Sequence, residues 1–536
     1  MTQVNWTYII IGGGSAGCVL ANRLSANPKN RVLLLDAGVT NRGISLHIPA
    51  GMLSAIGNDK YNWKYPAAPD ASRAGHVDAW SAGKAIGGGS AINGMFYIRG
   101  HRSDFDRWAQ AGCSGWDYQS VLPHFKSLES FEGGSHEYRG VDGPQSVMFE
   151  RHKLGVVDRF VKAAVDCGHV FNTDYNGARQ TGVGYAQVSQ ISGRRYSSAT
   201  AFLKPVRHRK NLKVIMGAQV RRVLIDDNKK AYGVSYRRAG RDVVAKYDCE
   251  AILSAGALGS PKILMHSGIG PASLLSKHNI DVIRDAPQIG QNLMEHPAVY
   301  LTAKTKTKSL NAAAHPLRLP FVLADWLLRG RGPASAAAAA AQVLCHSRDG
   351  LIAPDIQLLL TPAIFSYDAI KKKAKILPEN GISIAALILQ PESRGRVVIT
   401  SPDPLVPPRI EHELLGADID VKRLAIAARK AAEILSSAGL SETIISTEPD
   451  LTPQSSDEEY EAYVRQTAFR GDHATGTCRM GIDEEAVLDP QLRVKGIAGL
   501  RVVDASIMPM ITSGNTNAPT LMIAEKASSM ILQEET

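Results

Sequence analysis

Three glycines near the N terminus have the spacing of a pyrophosphate-binding turn. Gly12, Gly14 and Gly17 follow an apolar run at residues 8–11 and open a segment with helical apolar spacing. The first glycine permits the tight turn, the second lets backbone N–H groups approach the pyrophosphate, and the third lets helix pack on strand. The helix N terminus then favours the phosphate charge. Asp36, 19 residues beyond Gly17, ends the second apolar run, where a carboxylate can accept hydrogen bonds from an adenosine ribose. The motif predicts a bound dinucleotide without separating FAD from NAD.

The C terminus contains a second strand, acid and helix. The run Arg501-Val502-Val503 reads as a short strand that ends at Asp504, and Gly514–Pro519 leads into a helical segment. Pro519 stands in the first turn after small polar residues, which is a good helix start. Together the two termini predict one long cofactor held by both ends of the chain.

The glycine turn requires flanking elements that position it. Residues 8–11, 15–25 and 31–35 predict a strand, a helix and a strand, and the unbroken apolar character of both strands is typical of a parallel sheet buried on both faces. Residues 105–130 and Val421–Leu435 predict helices. Alternating segments predict antiparallel strands at 212–225, 231–236 and 243–254.

Size and composition bound the class of protein. With 536 residues and 57.6 kDa, the chain is too long for one simple core, so we expect two closely joined domains. A 44% hydrophobic and 21% charged composition excludes disordered and fibrous classes. The net charge of +10 is scattered, and its one basic run, Lys371–Lys373, is too short to indicate nucleic-acid binding.

Cysteine spacing and hydropathy predict the compartment. The six cysteines are widely spread and form no C-x-x-C pair, which argues against a zinc site or a disulfide scaffold and for reduced thiols. No His, Asp or Glu cluster has metal-ligand spacing, so we predict no metal. The nucleotide strand begins at about Thr7, which leaves no room for a secretory signal, and no apolar run approaches membrane-spanning length. We expect a cytoplasmic protein, with peripheral membrane attachment left open.

Two further glycine-rich blocks bear on which cofactor is bound. In block 83–100, three consecutive glycines before Ser90 let backbone lie against a flat ring system, and Asn93 can hydrogen-bond backbone or cofactor. Residues 256–270 form a second long block of the same kind. Flat-ring contact favours a flavin.

With these blocks in view, the sequence resembles the glucose–methanol–choline (GMC) oxidoreductases, and within them the choline-dehydrogenase-like alcohol dehydrogenases. The resemblance covers essentially the whole chain, including ordered blocks at 290–296, 391–395, 473–477 and 504–519. It implies an α/β fold with a discontinuous Rossmann-like FAD-binding domain and an α+β substrate-binding domain with an antiparallel sheet. We expect the first domain at residues 1–155, 205–300 and 480–536 and the second at 156–204 and 301–479.

The resemblance also implies oxidation of a small-molecule alcohol with transfer of hydride to flavin N5. By position His473 matches the family's active-site histidine, and Asn515 matches its partner. A neutral imidazole suits removal of the hydroxyl proton, and an amide can donate a hydrogen bond to the developing alkoxide. The expected cofactor-binding residues are Gly12, Gly14, Ser15, Ala16, Gly17, Asp36, Ala37, Lys84, Gly88, Gly89, Ser90, Asn93, Gly94, Met95, Val220, Ala255, Gly256, Asp504, Ala505, Asn515, Thr516 and Asn517.

Departures from the family pattern refine these expectations. Ile92 stands where covalently flavinylated relatives carry histidine, so we predict noncovalent FAD, and Gly89 replaces the usual Ser or Cys. Asp472, beside His473, is a surface acid, shapes the substrate mouth, or raises the pKa of His473. We interpret His296 as structural. Ala334–Ala341 is either a closely packed helix or a source of volume for a bulky alcohol.

Several functional questions stay open at this point. No carboxylate can be placed to hold a quaternary ammonium, so choline itself is not supported as the substrate. The leading hypothesis is a dehydrogenase that passes electrons to a quinone or another acceptor. The alternatives are an oxidase that reduces O₂ and, less favoured, a cyanohydrin-cleaving lyase. The sequence leaves the oligomeric state open.

Overall fold

The computed structural model describes residues 5–368 and 373–535. Within them, seven strands form a mixed sheet, here called the first sheet. Its path runs Leu212–Met216, Val32–Asp36, Trp6–Ile11, Arg241–Leu253, Ala231–Arg238 and Gln219–Ile225, and Leu500–Val502 pairs with the end of Arg241–Leu253. The first four strands of this path are parallel, and the last two pair antiparallel.

The first sheet confirms the strand–helix–strand unit that the sequence predicts. Val32–Asp36 is fully buried, as a strand covered on both faces must be. The helix Ser15–Leu24 follows Trp6–Ile11 directly and packs against the C-terminal helix Asn517–Gln533. The two termini therefore share one hydrophobic core with the first sheet.

A second sheet has its own core. Seven described strands, all antiparallel, run Ile444–Glu448, Pro297–Thr305, Gly381–Ile388, Ile356–Thr361, Ala341–Cys345 and Gly182–Tyr185, with Phe469–Arg470 beside Pro297–Thr305. The helices Gly155–Asp166, Asp418–Ser436 and Asp457–Thr467 contribute apolar residues to this core. The fold is thus the expected α/β sheet joined to an antiparallel α+β region, while the predicted domain limits themselves stay a prediction.

The remaining elements connect the two sheets. The further α-helices are Met52–Gly57, Arg102–Gln110, Tyr118–Leu128, Gly256–His266, Ala272–Lys277, Leu319–Arg329 and Ala438–Ser441. Short strand pairs are Tyr65–Pro66 with Ala79–Trp80, Gln190–Ile191 with Arg194–Arg195, Ile269–Gly270 with Arg284–Asp285, Phe365–Asp368 with Lys373–Ile376, and Gly395–Val398 with Arg409–His412. Glu129–Phe131, Gln145–Phe149 and Gln187–Val188 form a small three-stranded sheet.

Two helix predictions need correction. The segment 105–130 is two helices rather than one, because Gly112 and Gly115 adopt left-handed backbone angles between them. The alanine-rich segment Ala334–Ala341 is not a helix: a short 3₁₀ turn at Pro333–Ser335 leads through extended backbone into strand Ala341–Cys345. Tertiary hydrogen bonds take up its backbone groups, so helix propensity is overridden.

Three smaller expectations can be placed on the structure. In the basic run Lys371–Lys373, Lys371 and Lys372 lie outside the described residues. All six cysteines are described, and all are free thiols. Across the described chain, we find no helix with the length and apolar character to cross a membrane, and no group of three or more His, Cys, Asp or Glu side chains arranged to hold a metal ion.

Candidate active site

A cavity of about 1560 Å³ lies between the two sheets. Its wall includes the carboxyl ends of three parallel strands, at Ile11, Asp36 and Ser254, which is where open α/β sheets bind ligands. The opposite wall comes from the second sheet, with Leu359 and Leu387 among its residues. The cavity is large enough for an extended cofactor together with a substrate.

In the glycine turn, close backbone packing requires glycine at two positions, Gly12 and Gly17, whereas Gly14 leaves room for a ligand. A Cβ at Gly12, where φ is +103°, would lie 2.4 Å from the Ser254 carbonyl oxygen. A Cβ at Gly17 would lie 1.9 Å from the Gly12 carbonyl oxygen, because helix and strand approach so closely there. At Gly14 the nearest atom, Gly88 Cα, would be 3.8 Å away. Gly14 therefore borders open space in the cavity, as a backbone approach to pyrophosphate requires.

Two buried carboxylates mark the strand ends. Asp36 accepts hydrogen bonds from the Gly13 and Gly38 backbone N–H groups, both at 2.8 Å. Asp504 accepts from the Gly256 N–H at 2.9 Å and from the Ser506 N–H at 2.8 Å. Burial raises the pKa of both carboxyls, and these backbone donors oppose that rise. Both side chains line the cavity.

The two termini meet at the cavity through side chains. Ser15 Oγ donates to Asn517 Oδ1 at 2.8 Å, which joins the first residue of one helix to the first residue of the other. Farther along, Arg23 Nε lies 2.8 Å from a Glu525 carboxylate oxygen. The helix Asn517–Gln533 starts where Pro519 predicts it.

The loop of block 83–100 presents backbone to the cavity. A Cβ at Gly89 would meet no atom within 4 Å, so this position is open to a ligand. Asn93 Oδ1 accepts from the Met95 N–H at 3.0 Å and from Arg195 Nη1 at 2.8 Å. Arg195 is buried, and burial lowers its pKa to about 9. Nothing in the sequence distinguishes this arginine from its neighbour Arg194.

A chain of side-chain contacts surrounds His473. His473 Nε2 lies 2.9 Å from Asn515 Nδ2, and His473 Nδ1 lies 2.9 Å from His296 Nδ1. His296 Nε2 in turn lies 3.1 Å from the Leu389 carbonyl oxygen. Gln357 Nε2 donates to Asn515 Oδ1 at 3.3 Å. These contacts bring together five residues that are far apart in the chain.

The Leu389 carbonyl fixes the proton positions along this chain of contacts. A carbonyl oxygen only accepts, so His296 Nε2 carries a proton and, in the neutral ring, Nδ1 is an acceptor. His473 Nδ1 must then be the donor in the contact between the rings, which leaves the lone pair of His473 Nε2 for the cavity side. Asn515 meets that lone pair with its amide N–H, and the Gln357 donor holds the amide in this orientation. His473 Nε2 is consequently a hydrogen-bond acceptor.

Burial keeps both rings neutral. It lowers the pKa of His473 to about 4 and lowers that of His296 well below the ordinary histidine value. The Glu295 carboxylate accepts hydrogen bonds from the backbone N–H groups of His473, at 2.7 Å, and His296, at 2.9 Å. Burial raises the pKa of Glu295 to about 8, with Asp472 adding to the effect. In the sequence, Glu295 is marked only by its position beside His296.

His296 and Asp472 extend the sequence interpretation. His296 makes structural contacts, as interpreted, but one of them is directly to the His473 ring. Asp472 lines the cavity, and its carboxylate lies 3.3 Å from Arg470 Nη2. Since burial is what lowers the His473 pKa, the structure gives no support to the alternative that Asp472 raises it.

Most of the predicted site residues lie on the cavity wall. Gly17 and Ser90 lie behind it: Gly17 packs helix on strand, and Ser90 Oγ donates to the Gly87 carbonyl at 2.6 Å. The residues that line the cavity are Gly12, Gly14, Ser15, Ala16, Asp36, Ala37, Lys84, Gly88, Gly89, Asn93, Gly94, Met95, Val220, Ala255, Gly256, His473, Asp504, Ala505, Asn515, Thr516 and Asn517. The open positions at Gly14 and Gly89 and the carboxylates at two strand ends fit FAD.

Comparisons with known proteins identify the family of the chain. Two family models, both described as GMC oxidoreductase, match residues 6–298 and 391–524. Mitochondrial choline dehydrogenase of Mus musculus is 38% identical over 98% of this chain and 89% of that protein. Oxygen-dependent choline dehydrogenase of Rhizobium etli is 37% identical over 98% of this chain and 96% of its own length.

Solved structures share the whole fold. Pyridoxine 4-oxidase from Mesorbium loti superposes with a TM-score of 0.89 at 30% identity, covering 99% of both chains. A formate oxidase variant from Aspergillus oryzae, at 24% identity, superposes with a TM-score of 0.91 over 100% of this chain and 99% of its own and shows likeness of fold. The chain therefore belongs to the GMC oxidoreductases and is an FAD-dependent oxidoreductase that acts on CH–OH donors.

Proposed function

We propose that the protein is an alcohol dehydrogenase in which His473 Nε2 accepts the hydroxyl proton of the substrate. The observation that carries this proposal is the chain of contacts from the Leu389 carbonyl through His296 to His473, which leaves the Nε2 lone pair on the cavity side, where it accepts a hydrogen bond from the Asn515 amide. FAD, when bound, supplies the hydride acceptor.

Asn515 and His473 have different roles at the substrate hydroxyl group. The Asn515 amide donates a hydrogen bond, so it stabilises negative charge on the substrate oxygen as the proton leaves. His473 starts neutral, because burial holds its pKa near 4, and it is ready to take the proton across the ordinary pH range. The proton then rests on Nε2, while Nδ1–H keeps its contact with His296. Removing the proton is what permits the carbinol C–H bond to break as hydride.

The cavity wall beside His473 and Asn515 favours an uncharged alcohol whose remaining part is apolar. Ala334 and Ala336–Ala339 line the cavity, which favours the interpretation that the alanine-rich segment provides volume. Leu359 and Leu387 extend the apolar surface. Asp472 is the carboxylate nearest in sequence to His473, and the Arg470 guanidinium offsets its charge. Since Asp472 is paired with Arg470, we propose that a quaternary ammonium such as that of choline, the substrate named for several relatives, is not the preferred substrate.

We further propose that FAD is held noncovalently. Ile92 lines the cavity at the position where flavinylated relatives carry histidine, and an isoleucine side chain offers no nucleophile. Acid precipitation of the purified holoprotein tests this point. Release of all yellow colour into the supernatant supports noncovalent binding, and colour retained in the pellet contradicts it.

The identity of the electron acceptor is a separate question. We propose a non-O₂ acceptor such as a quinone, in a cytoplasmic enzyme. The names of two similar proteins, pyridoxine 4-oxidase and oxygen-dependent choline dehydrogenase, favour an oxidase as the alternative. The test is an anaerobic screen of alcohols followed by admission of air. Bleaching of the flavin band by apolar alcohols, with slow reoxidation in air and fast reoxidation by a quinone, supports a dehydrogenase.

Each other outcome of the screen points to a different function. Reoxidation by air within one turnover time would identify an oxidase. Bleaching by choline in preference to an apolar alcohol of similar size would contradict the proposed substrate class. An absence of bleaching with any alcohol, together with release of cyanide from a cyanohydrin, would indicate a lyase.

A further inference from the structure

The helix Leu319–Arg329 carries apolar side chains on both of its faces. Its inward face contributes Trp326, which is fully buried and donates its indole N–H to the Gly193 carbonyl at 2.7 Å. Leu319, Val322 and Leu323 line the large cavity. The helix is thus fixed to the body of the protein and borders the cavity.

The outward face is equally apolar. Phe321 is 76% exposed, Leu328 is 84% exposed, and Leu317, just before the helix, is 78% exposed. Phe321 and Leu328 are seven residues apart and lie on the same side of the helix. Large exposed apolar side chains grouped in this way indicate a surface that contacts another apolar phase.

The charge around the helix indicates what this apolar surface binds. Between Lys308 and Arg331 the chain carries four cationic side chains, Lys308, Arg318, Arg329 and Arg331, and one carboxylate, Asp325. Asp325 already lies 3.3 Å from Arg329 and 3.7 Å from Arg331. Aromatic and leucine side chains flanked by arginines are typical of helices that lie in the interface of an anionic bilayer.

We propose that this surface, formed by Leu317, Phe321 and Leu328 with Arg318, Arg329 and Arg331, docks the protein on an anionic phospholipid membrane. Docking would bring the cavity edge at Leu319 to the bilayer, from which an apolar alcohol could enter directly. The proposal does not depend on the catalytic roles of His473 and Asn515.

Vesicle flotation of the purified holoprotein tests the proposal. Phosphatidylcholine vesicles with roughly one third phosphatidylglycerol should bind the protein more tightly than pure phosphatidylcholine vesicles, because anionic headgroups attract basic segments. The double variant Phe321→Ser/Leu328→Ser should bind the anionic vesicles at least about tenfold more weakly, since two large apolar side chains no longer enter the lipid. Its activity on a water-soluble alcohol should be unchanged.

Matched variants control for general effects of polarity and charge. Ile352→Ser/Ile445→Ser removes two apolar side chains, 81% and 64% exposed, that lie outside the cavity wall, and it should bind vesicles as the wild type does. Arg329→Gln/Arg331→Gln should weaken binding to anionic vesicles several-fold and leave binding to neutral vesicles unchanged. Arg238→Gln/Arg241→Gln, at a strand turn of the first sheet, is its control.

Three outcomes would overturn the proposal. The wild type could fail to float with anionic vesicles. The Phe321/Leu328 double variant could bind as well as the wild type. Light scattering could show a dimer that this double variant dissociates, in which case the surface is an interface between two copies of the chain.

Discussion

The Gly12–Asp36 end of the cavity is built from backbone, whereas the His473 end is built from side chains. At the Gly12–Asp36 end, the backbone of a short turn sets the shape of the cavity. A Cβ added at Gly12 or Gly17 would collide with neighbouring backbone. At the second end residues 177 positions apart meet ring to ring. The comparison teaches that the first end is sensitive to added volume, while the second is sensitive to the loss of single hydrogen bonds.

The largest expected effect is at Gly17. The change Gly17→Ala places a Cβ 1.9 Å from the Gly12 carbonyl oxygen, so helix and strand must separate. We expect a loss of about 3–5 kcal/mol in the free energy of unfolding, measured by urea denaturation of the apoprotein.

Gly14→Ala is the matched control, because its Cβ meets no atom closer than 3.8 Å. The apoprotein should keep its stability, and FAD affinity should fall at least about tenfold, measured by flavin fluorescence titration. Equal losses of stability in both variants would contradict the distinction between a structural glycine and a ligand-facing one.

Replacing Asn515 tests the His473 end of the cavity, where the substrate alkoxide is proposed to form. Asn515→Ala removes the N–H donor beside His473 Nε2, and we expect kcat to fall about 10²–10³-fold. Stopped-flow reduction under anaerobic conditions measures this rate. Gln342→Ala, which removes the other acceptor of Gln357 Nε2 and leaves the Asn515 amide in place, should lower the rate much less. An unchanged kcat in Asn515→Ala would show that the amide plays no part in the chemistry.

His296 is expected to act as a positioning residue. His296→Ala leaves the His473 Nδ1–H without its acceptor, and we expect about a tenfold fall in kcat with a shifted pH profile. His296→Asn offers an amide oxygen to the same N–H and should restore part of the rate. If Ala and Asn behave alike, and the pH profile does not move, His296 serves packing alone.

A gradual pH dependence of stability, small over any single pH unit, is expected at Glu295. Because burial raises its pKa to about 8, the folded protein keeps a proton that the unfolded chain loses above the ordinary glutamate pKa of 4.5. Its contribution to stability is therefore complete below pH 4.5 and is lost as pH rises toward 8, by up to about 1.4 kcal/mol per pH unit.

Glu295→Gln keeps an acceptor for the two backbone N–H groups and removes the titration. Urea denaturation between pH 5 and pH 8 should show the wild type losing stability relative to this variant as pH rises. Parallel curves for the two proteins would indicate that Glu295 is ionised throughout.

The same contrast explains what the sequence could predict. The strand–helix–strand unit and the start of the C-terminal helix were predictable because their signals are local: apolar runs, glycine spacing and Pro519. Of the two alternatives for Ala334–Ala341, the closely packed helix is wrong, since the backbone of this segment is hydrogen-bonded to distant partners. Ala337 N–H donates to Glu150 at 2.8 Å, and the Ala338 carbonyl accepts from Thr361 Oγ1 at 2.7 Å.

At the His473 end, the family resemblance pointed to two residues, and the tertiary structure adds the contacts that define their states. The roles of His296, Glu295 and Gln357 depend on contacts across 93 to 178 residues, for which no local pattern exists.

Anaerobic stopped-flow reduction of the His473→Ala holoprotein tests the central claim most directly. The variant should bind FAD as the wild type does, because the Gly12–Asp36 end is untouched, and its flavin should be reduced by the best alcohol about 10²–10⁴-fold more slowly. Reduction at the wild-type rate, with FAD fully bound, would contradict the assignment of His473 Nε2 as the proton acceptor.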